Sequence, residues 1–232
     1  MNAVGLAGSR AARGGDGRLI CLPGVYRPQE DTRLLEAALD DERVGPGREV
    51  LEIGTGSGAV ALRAAEAGAR VTAVDAAWPA VLAARLNAWR RRVPLNVLHG
   101  DFATRSAGRR YDLVLANPPY VPSPDARPPA RGQARAWDAG HDGRAVIDRI
   151  CQAAPALLRP GGVLLLVHSG MCGSDRTLDL LGRNGLTATV TARHRVAWGP
   201  VLRSRRAWLQ ERGFAAPGEQ WEELVVIRAH NA

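Results

Sequence analysis

Four consecutive residues, Asn117-Pro118-Pro119-Tyr120, follow the apolar run from Asp112 to Ala116. A planar amide or exocyclic amine nitrogen is a poor nucleophile because its lone pair is delocalised. Two acceptors that take its two N–H groups orient it and favour lone-pair character on nitrogen. The Asn117 side-chain oxygen is one such acceptor, and the Pro118 carbonyl is the other, since proline keeps its acceptor. The prolines fix φ and preorganise both groups. Tyr120 offers a flat face against which a planar group can lie. Taken alone, the four residues also fit an ordinary proline-rich loop after a strand.

A second group stands upstream, Glu52-Ile53-Gly54-Thr55-Gly56-Ser57-Gly58-Ala59. Its glycines let the chain turn tightly and let a ligand approach the backbone. The G-x-G-x-x-A spacing, with Asp75 21 residues after Gly54, also suits a dinucleotide site. The carboxylates separate the two readings. Glu52 disfavours a pyrophosphate and welcomes a cationic amino-acid moiety, directly or through water. Asp101 can accept from an adenine amino group. The series Glu52, Asp75, Asp101 therefore fits S-adenosylmethionine, which carries a sulfonium and an ammonium and no phosphate. Joined to Asn117, it points to in-line methyl transfer from sulfur to nitrogen. No strong general base is required, because the proton can leave after transfer.

These residues need elements to position them. Gln29 to Asp41 carries Leu34, Leu35, Ala38 and Leu39 at helical spacing. Strands are expected at 49–53, 70–74, 95–98, 111–116, 163–168, 186–192 and 223–228. Helices are expected from the glycine loop to about Ala67, and at 78–91, 144–158 and 174–183. Pro160-Gly161-Gly162 reads as a turn, and the proline-rich 118–131 as irregular chain. Alternating β and α segments imply a doubly wound, mostly parallel seven-stranded α/β sheet, Rossmann-like, with an antiparallel last strand. Sites in such sheets lie at the carboxyl ends of the strands, where Gly54, Asp75, Asp101 and Asn117 fall. Residues 1–18 read as a flexible tail and 19–232 as a single domain. Residues 193–221 form an extended segment with a basic helical piece near Leu202 to Glu211.

Composition bounds the rest. The 232 residues can bury a core without disulfides. The longest apolar run, Val163 to Val167, falls far short of the roughly 20 residues of a membrane span. No apolar leader segment precedes the domain, which reads as cytoplasmic. Cys21, Cys151 and Cys172 are scattered, which argues against a disulfide framework or a zinc ribbon, and no metal site is expected. The formal net charge is +8, and all 31 basic residues are arginine. Such a surface is compatible with nucleic acid, a partner class less favoured here than protein.

Three stretches carry a resemblance. They are Gly24-Val25-Tyr26-Arg27-Pro28-Gln29-Glu30-Asp31-Thr32, the glycine loop with Asn117 to Tyr120, and Ala136-Trp137-Asp138-Ala139-Gly140-His141-Asp142-Gly143-Arg144. Over about residues 20–192 the chain resembles the HemK-related protein-glutamine methyltransferases. These are class I S-adenosylmethionine-dependent enzymes with an N-P-P-Y motif, and the likeness is to their short branch, without the N-terminal helical domain. The resemblance implies N5-methylation of the glutamine in the Gly-Gly-Gln loop of a translation release factor, with S-adenosylhomocysteine as co-product. By it, Asn117 and Pro118 hold the amide, and Pro119, Tyr120 and Trp137 line the substrate pocket. Glu52, Gly54, Gly56 and Gly58 bind the methionine end of the cofactor. Thr32 reaches its carboxylate region, Asp75 takes the ribose, Asp101 with Phe102 takes the adenine, and Asn117 also borders the cofactor. A small zinc-binding activator protein is a partner the short branch often uses. Two departures bear on the substrate: Ala139 replaces the first glycine of the family's pair, and 193–221 is long. A small-molecule or peptide N-methyltransferase and a DNA or RNA amino-methyltransferase are the alternatives.

Overall fold

A computed structural model describes residues 18–231, so the expected tail lies, up to residue 17, outside the described residues. Seven strands form one sheet: β1 (Glu49–Ile53), β2 (Arg70–Asp75), β3 (Asn96–His99), β4 (Tyr111–Ala116), β5 (Leu158–Ser169), β6 (Leu186–Ala197) and β7 (Trp221–Asn231). Their order is β3-β2-β1-β4-β5-β7-β6. β7 runs antiparallel to both β5 and β6, and the other pairings are parallel.

Alternate residues of β4 explain the layering. Leu113 and Leu115 belong to one apolar cluster, Val114 and Ala116 to the other. A strand covered on both faces needs no polar side, hence the continuous apolar run. On one face lie α1 (Glu30–Asp40), α2 (Ala59–Glu66) and α3 (Trp78–Arg91), whose Leu35, Val60 and Val81 are buried. On the other lie α5 (Ala145–Leu157) and α6 (Ser174–Arg183), with Ile147, Ile150 and Leu181 buried. A short α4 (Phe102–Arg105) follows β3, capped by Asp101.

The strand order reverses between β1 and β4, so the loops leaving these neighbours diverge and open a crevice at their carboxyl ends. The glycine loop leaves β1 there and Asn117 leaves β4.

Several boundaries differ from expectation. Pro160-Gly161-Gly162 is a bulge inside β5, not a turn before it: the register with β4 jumps from Tyr111↔Leu158 to Leu113↔Val163. β6 runs on to Ala197 and β7 starts at Trp221, so the final ladder claims both ends of the long 193–221 segment. The remainder holds α7 (Pro200–Ser204) and α8 (Arg206–Glu211), two short helices in place of one.

At the sheet edge, the Gly100 N–H donates to the Asp75 carbonyl (2.9 Å), so even-numbered residues of β3 face β2. Val97 and His99 therefore point their backbone outward. Both outward carbonyls accept from guanidinium groups, Val97 from Arg85 (2.7 Å) and His99 from Arg105 (2.7 Å). Among the described residues no helix is long and apolar enough to cross a membrane.

Candidate active site

One cavity of about 970 Å³ occupies the crevice. Thr32, Glu52, Gly54, Gly56, Asp75, Asp101, Phe102, Asn117, Pro118, Pro119, Tyr120 and Trp137 all line it. Gly58 stands just behind that lining. With φ at +85°, it starts α2, and a Cβ there would lie 3.2 Å from the Ala84 Cβ, so its smallness serves helix packing. Gly54 and Gly56 also take positive φ, +75° and +55°. A side chain at either position would be strained and would crowd the cavity floor.

The carboxylates in the crevice are held by backbone and hydroxyl donors. Asp75 accepts from the N–H groups of Gly56 (2.9 Å) and Ala77 (2.8 Å), and its burial raises its pKa against those bonds. Glu52 accepts from the Thr55 hydroxyl and is fully desolvated, which pushes its pKa up to about 8. Asp101 is the exception. It caps α4 through Ala103 (3.1 Å) and receives Arg149 at 2.6 Å. Desolvation at this open site is outweighed by Arg149 and the cap, and the pKa is lowered. Arg149 also lies over the Phe102 ring, 5.2 Å from its centroid.

Glu52 makes a testable contribution to stability. Its pKa rises from 4.5 to about 8 on folding, so the folded state holds a proton that the unfolded chain has released between those values. Stability therefore falls as pH rises through that window. Melting temperatures of the ligand-free protein from pH 5 to 9 should decline, and Glu52→Gln should flatten part of the decline. A variant curve parallel to wild type would refute the assignment.

The far side of the cavity contains residues that were not singled out as site residues. Asp31 Oδ2 accepts from the hydroxyls of both Tyr26 (2.9 Å) and Tyr120 (2.9 Å), while Oδ1 accepts from the Thr32 N–H (2.7 Å). One carboxylate thus ties the opening segment to the loop after β4. Burial and Asp31 keep both phenols protonated, their pKa values raised. Glu222 on β7 lines the same wall, as do Val196 to Leu202 in part. The Asn117 side chain has no hydrogen-bond partner among the described residues, and a Cβ at Gly54 would stand 3.8 Å from the Asn117 carbonyl.

The loop after β4 is braced from behind. Val121 donates to the Trp137 carbonyl (2.8 Å) and Ala139 to the Val121 carbonyl (3.1 Å). Ala139 is buried without positive φ, so alanine is accommodated where the resemblance expects glycine. Gly143 sits against the Tyr120 carbonyl. Arg205, between α7 and α8, clasps Asp138 with two bonds (2.5 and 2.9 Å) and donates to the Pro122 carbonyl (3.0 Å). With Trp198, Leu202 and Leu209 buried beside Val121, this segment is a wall of the cavity.

A family model described as a methyltransferase small domain matches residues 17–130. A putative protein N5-glutamine methyltransferase of Methanocaldococcus jannaschii is 33% identical over 181 residues, 78% of this chain and 90% of its own length. Mouse methyltransferase HEMK2 is 39% identical over 175 residues, 71% of this chain and 81% of its own. The release factor glutamine methyltransferase of Bordetella pertussis is 38% identical over 71% of this chain, which spans only 63% of that relative. Among solved structures, the E. cuniculi Mtq2–Trm112 complex, responsible for methylation of the termination factor eRF1, aligns with a TM-score of 0.62 at 22% identity over 90% of this chain and 99% of that one. The T. thermophilus 16S rRNA N2 G1207 methyltransferase, solved with AdoMet and guanosine, aligns with a TM-score of 0.61 at 22% identity over 91% of this chain and 46% of that one.

Proposed function

The chain belongs to the HemK-related protein-glutamine methyltransferases, and from that premise we propose that it carries a methyl group from S-adenosylmethionine to the side-chain amide of the glutamine in the Gly-Gly-Gln loop of a translation release factor. The observation that carries the reading is Asn117. Among the described residues its side chain has no partner, at the end of β4, in one cavity with the glycine loop. An amide acceptor left unsatisfied beside a proline carbonyl is a place for two N–H groups of one nitrogen.

The residues fit the cofactor. Glu52 is a desolvated carboxyl that a cation would return to its charged form. Asp75 presents its carboxylate at the end of β2, where a ribose diol can donate to it. Thr32, in the first turn of α1 and on the cavity lining, would hold the methionine end. Arg149 occupies one Asp101 oxygen, so the adenine contact there falls to Phe102 and to whatever acceptor capacity Asp101 keeps. The bound cofactor supplies a methyl group on a positively charged sulfur. Asn117 and Pro118 accept from the substrate amide and aim its nitrogen, while Pro119, Tyr120 and Trp137 confine its plane. On transfer the carbon–sulfur bond would break as the carbon–nitrogen bond forms, leaving the thioether S-adenosylhomocysteine, and one amide proton would go to solvent.

A protein partner is part of the same reading. Trp78, Leu82 and Trp89 are 61%, 58% and 76% exposed, at spacings that set them along one face of α3. Apolar side chains so exposed support a docking surface for a small activator protein, of the zinc-binding kind the family resemblance implies. The cytoplasm is the compartment this reading requires.

The test is transfer of labelled methyl to a release factor from the same source, alone and with its small activator added, followed by mapping of the modified residue. Label on the Gly-Gly-Gln glutamine is the expected result. A release factor unlabelled under both conditions, with cofactor binding demonstrated, would overturn the substrate.

A further inference from the structure

Two carboxyl groups face the substrate side of the cavity, and their states differ. Asp31 is saturated: two phenols and a backbone N–H occupy its oxygens. Glu222 is not. The Ser169 side chain hydrogen-bonds its carboxyl, but Oε2 is buried without a partner among the described residues. Along β7 the side chains alternate. Glu222 and Leu224 line the cavity, whereas Glu223 pairs with Arg193 outside it. Glu222 also lies opposite Val196 in the ladder, at the root of the wall built by α7 and α8.

A buried acceptor with no partner costs stability, and such costs persist where a ligand completes the bond. The ligand must bring a donor, and the site is already negative through Asp31. Glycine-flanked backbone offers such donors, because no side chain hinders its approach to a recessed acceptor. We propose that Glu222 is a substrate-positioning residue that accepts a hydrogen bond from a backbone N–H of the glycine-rich loop presenting the target amide. This rests on the protein-glutamine reading of the same cavity.

Burial and the neighbouring Asp31 raise the Glu222 pKa to about 7, against the lowering effect of Ser169. The other titratable groups that feel its charge are Tyr26, Tyr120 and Cys172, all raised and all neutral near pH 7. The carboxylate form is the stronger acceptor. Substrate KM should therefore be lowest above pH 7 and rise as Glu222 takes up its proton below it.

The experiment measures kcat and KM for a Gly-Gly-Gln release factor from pH 6 to 9, with cofactor affinity in parallel. Glu222→Gln should raise KM about ten-fold at pH 8, the scale of one charge-assisted bond, leave cofactor affinity within two-fold, and abolish the pH dependence of KM. Ser169→Ala removes the donor that lowers the Glu222 pKa, so its KM inflection should move to higher pH. Unchanged KM and unchanged pH profile in Glu222→Gln, with wild type active, would overturn this inference alone, as would loss of cofactor binding in that variant. Wild-type enzyme that leaves the release factor unmethylated overturns the substrate reading and this inference with it.

Discussion

Asn117→Ala should lower kcat for methyl transfer by on the order of 100- to 1000-fold, the range seen when one preorganised hydrogen-bonding group is removed from a reacting centre. Asn117 sits where β4 ends at the reversal of strand order, and no described residue occupies its side chain. The amide therefore costs nothing to free when substrate arrives. Truncation removes one of two acceptors, and the Pro118 carbonyl alone cannot fix the direction of the nitrogen lone pair. Cofactor affinity should change by less than ten-fold, because the glycine loop, Glu52 and Asp75 remain. Rapid-quench measurement of the chemical step, with calorimetry for cofactor binding, separates the two. Equal losses in both would mean that Asn117 holds the cofactor and not the substrate amide.

Gly143→Ala, although outside the cavity lining, should have the next largest effect. A Cβ there would come within 2.3 Å of the Tyr120 carbonyl oxygen and 2.9 Å of the Cys172 sulfur, on a backbone with φ of +71°. Tyr120 and Cys172 are themselves joined, thiol to carbonyl, at 3.1 Å. The clash forces the Gly143 turn and the loop after β4 apart, and a displacement of that loop by roughly an ångström can cost about 100-fold in rate. Overpacking and the left-handed backbone together should cost about 2–4 kcal/mol in stability. The variant should melt at lower temperature, lose kcat, and still bind cofactor. Full activity with a lowered melting temperature would show that Gly143 matters for packing only.

Much of this architecture was legible because its signals are local. The apolar runs that become β1, β2 and β4 are buried on both faces, and the period of α1 repeats within a few residues. The glycine loop and Asn117 are legible for the same reason, each being a short string beside a strand. The extension of β6 from Arg193 to Ala197 was not. Those residues lie at an exposed sheet edge, where no apolar alternation survives and the ladder to β7 alone makes the strand. The helical piece after Leu202 divides because Arg205 leaves the helix path to reach Asp138, 67 residues away in sequence. The Tyr26–Asp31–Tyr120 knot spans 89 residues from Asp31 to Tyr120 and depends on the fold to exist. Tyr26 and Asp31 stood within the opening motif, which could have marked them. Glu222 stood in no motif at all.

The guanidinium groups on Val97 and His99 bear on how the chain behaves at high concentration. An open strand edge is a template, and a second copy can add to it in register until an aggregate grows. Here both outward carbonyls of β3 are already filled, so an incoming strand finds no acceptor at those positions without first evicting an arginine. An arriving copy also carries net charge of +8 toward positive side chains. Added salt screens that repulsion but leaves the plugged carbonyls in place, and this end of the sheet keeps its solubility by sterics when charge no longer supplies it.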